Sequence, residues 1–398
     1  MSKSDTYILT NGQQESLKIF ENFLKSDTNC FVLKGYAGTG KTTVIREMVK
    51  LLIKNDFPVN LVTPTGRAAK VLTDKAGQRA TTIHKAIYAL DNLVEIVRDK
   101  EEKGPRFFFE LRGNNEDTMA VIIVDESSMV SDKKNSNEFF QFGSGKLLSD
   151  LVEYADGRKI IFVGDDCQLP PVGDNKSGAL IPSYLKNCHN ISSVMYELTD
   201  VIRQKRDSGI LINANRIRTS INNNIFNTFE LIDDEDCITM IDYDTLIKQY
   251  SEITKNKIDL NTVIITYTNN LAKDYNLDIR SKIFPEQNEI ISGDRIILTK
   301  NSYSEEGILF NGEMGNVLEI SSDKEVRNIS MKVENGVKNV SITFRKAIIQ
   351  FDDVLFEGRI IEDLLYSKEP QLEPPKVRAL YVDFVKRNKD LPKKSKLF

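Results

Sequence analysis

The chain reads as an α/β protein. A doubly wound domain around a parallel sheet covers about the first 200 residues, and a second α/β unit and a small β-barrel follow it. Three observations predict this. Four short apolar runs, "CFVLKG" (30–35), "VNLVTPT" (59–65), "AVIIVDE" (120–126) and "KIIFVGD" (159–165), are separated by helical stretches, notably 42–54 and 66–75. The runs are continuous rather than alternating, as strands buried on both faces of a parallel sheet require. From about residue 290 the strand–helix rhythm gives way to an all-β texture.

Along the chain, residues 88–117 break the first rhythm. They hold two strand-like pieces, "LVEIV" and "RFFFEL", around a charged Gly-Pro turn, and read as an inserted β-hairpin. It is either a surface hairpin or a pin that touches a ligand. Phe107, Phe108 and Phe109 cannot all face one side of a strand. After residue 205 a second α/β unit begins, and "NTVIITYTNNLAKDYNLDIRSKIF" (261–284) reads as strand, polar turn and amphipathic helix. Beyond it come "SGDRIIL", "LFNGEMGNVLEI" and "ISMKVENGVKNVSITF", in which Asn335-Gly336 is a strong hairpin signal. The tail from 358 reads as helical, with a Lys-rich end from Lys386 to Lys396.

Composition narrows the function classes. With 54 basic and 58 acidic side chains the formal charge is −4, so any nucleic-acid contact must come from a local patch. The four cysteines (Cys30, Cys167, Cys188, Cys237) show no paired spacing, which argues against a disulfide framework or zinc site and for a reducing compartment. The N-terminus lacks an apolar signal core and no run of about 18 apolar residues occurs, so a cytoplasmic protein without membrane contact is expected.

"GYAGTGKT" (35–42) matches G-x-x-x-x-G-K-[ST], with a strand before it and a helix after. Gly35, Gly38 and Gly40 let backbone amides curl around phosphate oxygens, and the helix start adds its positive end. Lys41 is expected to reach the terminal phosphates of a nucleotide triphosphate and Thr42 to ligate Mg²⁺, with Thr43 completing the cofactor-binding set. "AVIIVDESSM" delivers Asp125, a second Mg²⁺ ligand, and Glu126, placed to deprotonate an attacking water; the pair favours hydrolysis. "FVGDDCQLPPVG" (162–173) offers Gln168 as an amide that senses the γ-phosphate or the water beside it.

These motifs, in this order, resemble those of a superfamily 1 DNA helicase of the RecD-like, Dda-type branch, from residue 9 to about 315. The resemblance implies a P-loop NTPase fold. Residues 1–205 would be a RecA-like motor domain with the 88–117 hairpin inserted as a strand-separating pin, and 206–289 a partial second RecA-like domain. Residues 290–357 would be an SH3-like β-barrel, and 358–398 a helical basic tail. "LTNGQQ" (9–14) resembles the adenine motif, which makes Gln13 the adenine reader. "ELTDVIRQ" (197–204) resembles the motif that supplies an arginine finger, here Arg203. "TPTGRAAKVL" (63–72), "TTIHKAI" (81–87) and "TYTNNLAKDYN" (266–276) resemble motifs that grip single-stranded DNA. They nominate Pro64, Thr65, Arg67, Thr82, His84, Thr268 and Asn269, and the pin nominates Phe108 for base stacking. A catalytic role for His84 is rejected, since Glu126 already serves as base; a DNA-backbone or structural role is expected.

The implied activity is ATP-dependent, Mg²⁺-requiring unwinding of DNA by a monomer that moves 5′ to 3′ on single-stranded DNA or at a fork, alongside DNA repair or replication proteins. The family's last two motifs, one of the form T-x-H-K-x-Q-G and one supplying a second arginine, do not occur after residue 340. The chain is therefore expected to be C-terminally incomplete and impaired in hydrolysis and unwinding. Two rival readings are a nucleotide-dependent, non-motor DNA-binding ATPase module and an RNA helicase. No nuclease metal cluster is apparent.

Overall fold

The computed structural model describes residues 8–96, 106–115, 117–134, 140–200, 208–225, 230–235, 237, 242–259, 261–299, 302–303, 308–309, 312–333, 336–351, 354–367 and 372–389. They fall into two compact units, Met1–Ile238 and Thr239–Pro392. Among the described residues no helix is long and apolar enough to cross a membrane.

The first unit runs α1 (Asn11–Leu24), β1 (Cys30–Gly35), α2 (Lys41–Lys54), β2 (Val59–Thr63), α3 (Gly66–Ala76), β3 (Ala80–Thr82) and α4 (Ile83–Ile87). It continues with β4 (Tyr88–Ile96), β5 (Arg106–Leu111), β6 (Val121–Val124), β7 (Phe140–Phe142), α5 (Leu147–Ala155), β8 (Lys159–Gly164), α6 (Pro182–His189), β9 (Ser193–Leu198) and α7 (Gly209–Asn222). Six strands form a wholly parallel sheet in the order β3-β2-β6-β8-β1-β9. The four apolar runs are its central strands; β3 and β9 close its edges.

Burial explains the continuous runs. Val32, Val62, Ile122 and Phe162 join a core with Leu148 and Leu151 of α5 and Leu185 of α6. Their chain neighbours Leu33, Leu61, Ile123 and Val163 join a second core with Phe20, Val44, Met48 and Leu72 from α1, α2 and α3. Successive residues thus enter opposite layers, so neither face of the strand tolerates polar side chains. The order β6-β8-β1 also sets the C-terminal ends of three adjacent strands side by side, with Lys34 level with Gly164 and Val124 level with Phe162.

The 88–117 segment contains the expected antiparallel pair, β4 with β5, and its tip lies outside the described residues. A third strand absent from the sequence reading, β7, pairs in parallel with β5. It extends the hairpin at its edge into a three-stranded sheet, order β4-β5-β7, in which the paired Phe142 and Phe109 rings stack, 4.8 Å apart and 13° from parallel.

The second unit holds α8 (Tyr243–Thr254), α9 (Asn269–Ile283), β10 (Arg295–Ile297), β11 (Ser302–Tyr303), β12 (Ile308–Leu309), β13 (Met314–Val333), β14 (Gly336–Phe351), β15 (Val354–Ile361), α10 (Glu362–Tyr366) and α11 (Pro374–Arg387). Where a barrel is expected, the described residues form an antiparallel sheet in the order β10-β13-β14-β15, beside a two-stranded β11-β12 ribbon. A ladder between β10 and β15 that would close the sheet is not among the described pairings. The long β13–β14 hairpin accounts for this shape. Val333 pairs with Gly336, so the glycine of the Asn-Gly signal stands in the ladder of β14.

A second correction concerns the stretch before α9. The expected strand at 261–267 forms no ladder among the described residues. Val263, Ile265 and Tyr267 share one face and are 72%, 90% and 99% exposed. Alternation alone does not make a strand; a neighbouring backbone must satisfy its N–H and C=O groups. The tail expected to be helical from 358 remains strand through Ile361 and turns helical only at Glu362, as α10 and then α11, anchored through buried Ala379 and an Arg327–Asp383 ion pair at 2.8 Å. Its Lys-rich end beyond residue 389 lies outside the described residues.

Candidate functional site

The glycine-rich loop leaves β1 and enters α2. Gly38 and Gly40 have φ of +85° and +82°, left-handed geometry that glycine adopts without a Cβ penalty. At Gly35 a Cβ would lie 2.8 Å from Thr39 Oγ1 and 3.0 Å from Leu198 Cβ, so the loop closes only around glycine. Gly40 caps α2 without a side-chain hydrogen bond, which leaves the first-turn amides free to receive an anion. Thr42 and Thr43 stand in that first turn.

Lys41 Nζ donates to the carbonyls of Gly35 (2.7 Å) and Tyr36 (3.2 Å). Burial pushes its pKa down, opposed by the charges of Asp165, Glu126 and Asp125. Gln13 is buried and uses both ends of its amide: Oε1 accepts from Thr10 N (3.1 Å) and Nε2 donates to Thr39 O (3.0 Å). In this state it braces the loop from behind.

Asp125 and Glu126 follow β6. Burial, reinforced by the neighbouring Glu126 charge, pushes the Asp125 carboxyl up to about 6. Its Oδ1 accepts from the Glu126 backbone N–H at 2.9 Å. Glu126 sits at φ +53°, a left-handed conformation that costs a residue with a Cβ roughly 1–2 kcal/mol. Strain of this kind gathers where a side chain must be aimed.

The loop after β8 supplies Asp165, buried, and Gln168. Gln168 Nε2 donates to Asp165 Oδ2 at 3.4 Å, and Cys167 N donates to Asp165 Oδ1 at 3.0 Å. Asp166 pairs with Lys34 at 2.9 Å, tying this loop to β1. The structure therefore brings Gly35, Lys41, Asp125, Glu126 and Gln168 to one end of three adjacent strands. Asp165 is a contributor the sequence reading used only as a strand terminator.

The nominated polynucleotide contacts divide differently. Thr65 caps α3, accepting from Ala68 N at 3.3 Å, and Thr63 Oγ1 donates to its carbonyl at 2.8 Å. Thr268 caps α9, accepting from Leu271 N at 3.2 Å, and Thr266 Oγ1 donates to its carbonyl at 3.0 Å. The two capping residues have nearly identical backbones, φ/ψ −125°/151° and −127°/151°. The same Thr-x-Thr device thus opens one helix in each unit. Beside them Arg67 and Asn269 are exposed and Pro64 half-buried.

Thr82 caps the short α4, accepting from Lys85 N at 3.3 Å. His84 packs against Phe142 edge-on, ring centroids 5.0 Å apart, and against Tyr88 at 5.6 Å. Burial lowers its pKa, so the ring is neutral near pH 7 and offers no charge to a phosphate. Phe108 is half-buried, next in the chain to the stacked Phe109. Arg203 lies outside the described residues. The sequence reading missed Arg218 of α7, whose guanidinium lies over the Tyr36 ring, 3.4 Å from its centroid. No motif marks it.

The AAA domain family matches residues 9–243, more than half of the chain. An uncharacterised protein of Methanocaldococcus jannaschii is 34% identical over 186 residues, 44% of this chain and 14% of that protein. The ATP-dependent DNA helicase dda of Enterobacteria phage T4 is 25% identical over 331 residues, 78% of this chain and 67% of the helicase. The ATP-dependent RecD2 DNA helicase of Deinococcus radiodurans is 32% identical over 143 residues, 35% of this chain and 16% of that enzyme. The chain thus spans only a small part of the archaeal protein and of RecD2. With its nucleotide loop, carboxylate pair and sensor loop set on a parallel sheet, this chain belongs to the AAA domain family.

Proposed function

We propose that the chain is an ATP-driven DNA helicase that tracks 5′ to 3′ along single-stranded DNA. The observation that carries this reading is the repeated Thr-x-Thr helix start, one copy in each unit with matching backbone angles. Nucleotide hydrolysis needs only the first unit's site. A polynucleotide motor needs two grips whose spacing changes with nucleotide state. A capping threonine beside open helix-end amides suits a DNA phosphate and ignores base identity. The named helicases among the relatives support the same assignment.

In hydrolysis, Glu126 takes the proton of the attacking water, while Lys41 leaves the loop carbonyls to neutralise charge on the phosphates. Gln168 reports the presence of the terminal phosphate to the β8 loop, Gln13 reads the adenine, and Arg203 adds a further cation. Mg²⁺ fits the donors present: the buried Asp125 carboxyl, pushed up by burial and the Glu126 charge, and the Thr42 hydroxyl are hard oxygen ligands. When bound, it would supply charge neutralisation between the phosphates.

The test is ATPase rate with and without single-stranded DNA, together with strand separation on duplexes carrying 5′ or 3′ tails. Hydrolysis stimulated tenfold or more by DNA, with unwinding only from a 5′ tail, is expected. Turnover indifferent to DNA would refute the motor. Competition between DNA and RNA strands tests the choice of polynucleotide. The ladder-free 261–267 stretch favours a second reading, a DNA-binding ATPase module whose nucleotide sets affinity without unwinding.

The grips carry their own prediction. Thr268→Ala removes one N-cap, worth about 1 kcal/mol of local stability, and weakens single-strand binding roughly five- to tenfold. Thr268→Ser retains the hydroxyl and restores binding. Thr65→Ala behaves alike. Equal affinities for the alanine and serine variants in a fluorescence titration would remove these threonines from the DNA path.

A further inference from the structure

Among the described residues Arg218 has no carboxylate within ion-pair distance. Nη1 donates to Asn215 Oδ1 at 3.0 Å and the guanidinium face rests on Tyr36, yet Nε is shielded from water with no hydrogen-bond partner. A half-buried guanidinium with an orphan donor is costly.

Its surroundings say what the donor awaits. Tyr36 belongs to the glycine-rich loop, and its carbonyl already holds Lys41 Nζ at 3.2 Å. Lys41 and Arg218 therefore meet the same residue from two sides, and the Arg218 charge is among those that lower the Lys41 pKa. One turn further along α7, Asn222 Oδ1 accepts from Cys167 Sγ at 3.5 Å, which sets the helix against the β8 loop that carries Asp165 and Gln168. Arg218 thus stands between the loop that wraps phosphates and the loop that faces the terminal one.

We propose that Arg218 binds the γ-phosphate of ATP, from within the same unit as the glycine-rich loop, and that the Tyr36 ring holds it ready until that phosphate arrives. The planar fork of a guanidinium can stack on an aromatic ring and still donate at its edge, which an ammonium cannot do. ADP, lacking the third phosphate, leaves Arg218 on Tyr36, so the side chain discriminates between the two nucleotides. The proposal rests on the ATP site described under Proposed function.

The experiment measures affinities for ADP and for a non-hydrolysable ATP analogue, with single-turnover hydrolysis, in wild type, Arg218→Gln, Arg218→Lys and Lys41→Ala. Arg218→Gln is expected to bind ADP as wild type does, bind the ATP analogue about tenfold more weakly, and hydrolyse at least tenfold more slowly. Arg218→Lys recovers part of both losses. An unchanged ATP-to-ADP affinity ratio in Arg218→Gln overturns the proposal, and so does an equal loss for both nucleotides, which marks a structural role. Lys41→Ala separates the two levels: if it binds the ATP analogue as tightly as wild type, the ATP-site reading itself fails.

Discussion

Glu126→Gln is expected to bind ATP normally and to hydrolyse it roughly 10²–10⁴ times more slowly, the range spanned by loss of a positioned general base. The substitution keeps the shape and the backbone N–H that Asp125 Oδ1 holds at 2.9 Å, so the turn after β6 survives. It removes the group proposed as the base. Asp125 is buried, hydrogen-bonded on one oxygen and assigned to the cation. Asp165 is committed to Cys167 N and Gln168 Nε2. Equilibrium binding of a fluorescent nucleotide and single-turnover hydrolysis separate the two effects. Hydrolysis within threefold of wild type would show that the base lies elsewhere. A matching loss of binding would show that Glu126 holds the nucleotide instead.

Asp125→Asn is expected to abolish hydrolysis and yet stabilise the nucleotide-free protein. The sign follows from the raised pKa. The fold favours the protonated carboxyl, so its contribution is fully present below the unfolded value near 4 and is lost as pH rises through about 6. Above that, the ionised group costs the first unit about 3 kcal/mol. Asparagine removes the charge and keeps an oxygen for Glu126 N. At pH 8 its melting temperature should exceed that of wild type by about 5–10 °C, and the gap should close as pH falls below 5. Added Mg²⁺ with nucleotide should reverse the order, since a carboxylate holds the cation more strongly than a neutral amide. Most buried substitutions destabilise, so a stabilising one that kills turnover marks a site shaped for chemistry rather than for folding. Equal melting temperatures across pH 5–8 would show that the ionised carboxylate is already compensated.

Legibility followed burial. The central strands β1, β2, β6 and β8 stood out because both of their faces enter the core. β3 and β9 were missed at the sheet edges, where Ala80–Thr82 is only three residues and Ser193–Leu198 is half exposed. β7 was missed because its pairing with β5 links residues some thirty positions apart through two aromatic rings. The reading of 261–267 as a strand failed for the opposite reason: the alternation was real, but no described neighbour completes it.

The amino-acid sequence by itself determined the nucleotide loop. Its requirements, left-handed glycines at 38 and 40, a Cβ-free 35 and a lysine at 41, act within seven residues, and only Gly35 also answers to a distant neighbour, Leu198. It likewise determined that Asp125 and Glu126 end a buried strand. Tertiary structure alone decided that β6, β8 and β1 lie side by side, which turns three separate loops into one site and places Asp165 in the field of Lys41. It alone decided that His84 is packing among rings and that Arg218 meets Tyr36 across 182 positions of chain. Strand order and helix docking minimise exposed apolar surface over the whole unit, so the charges they bring together leave no local mark in the sequence.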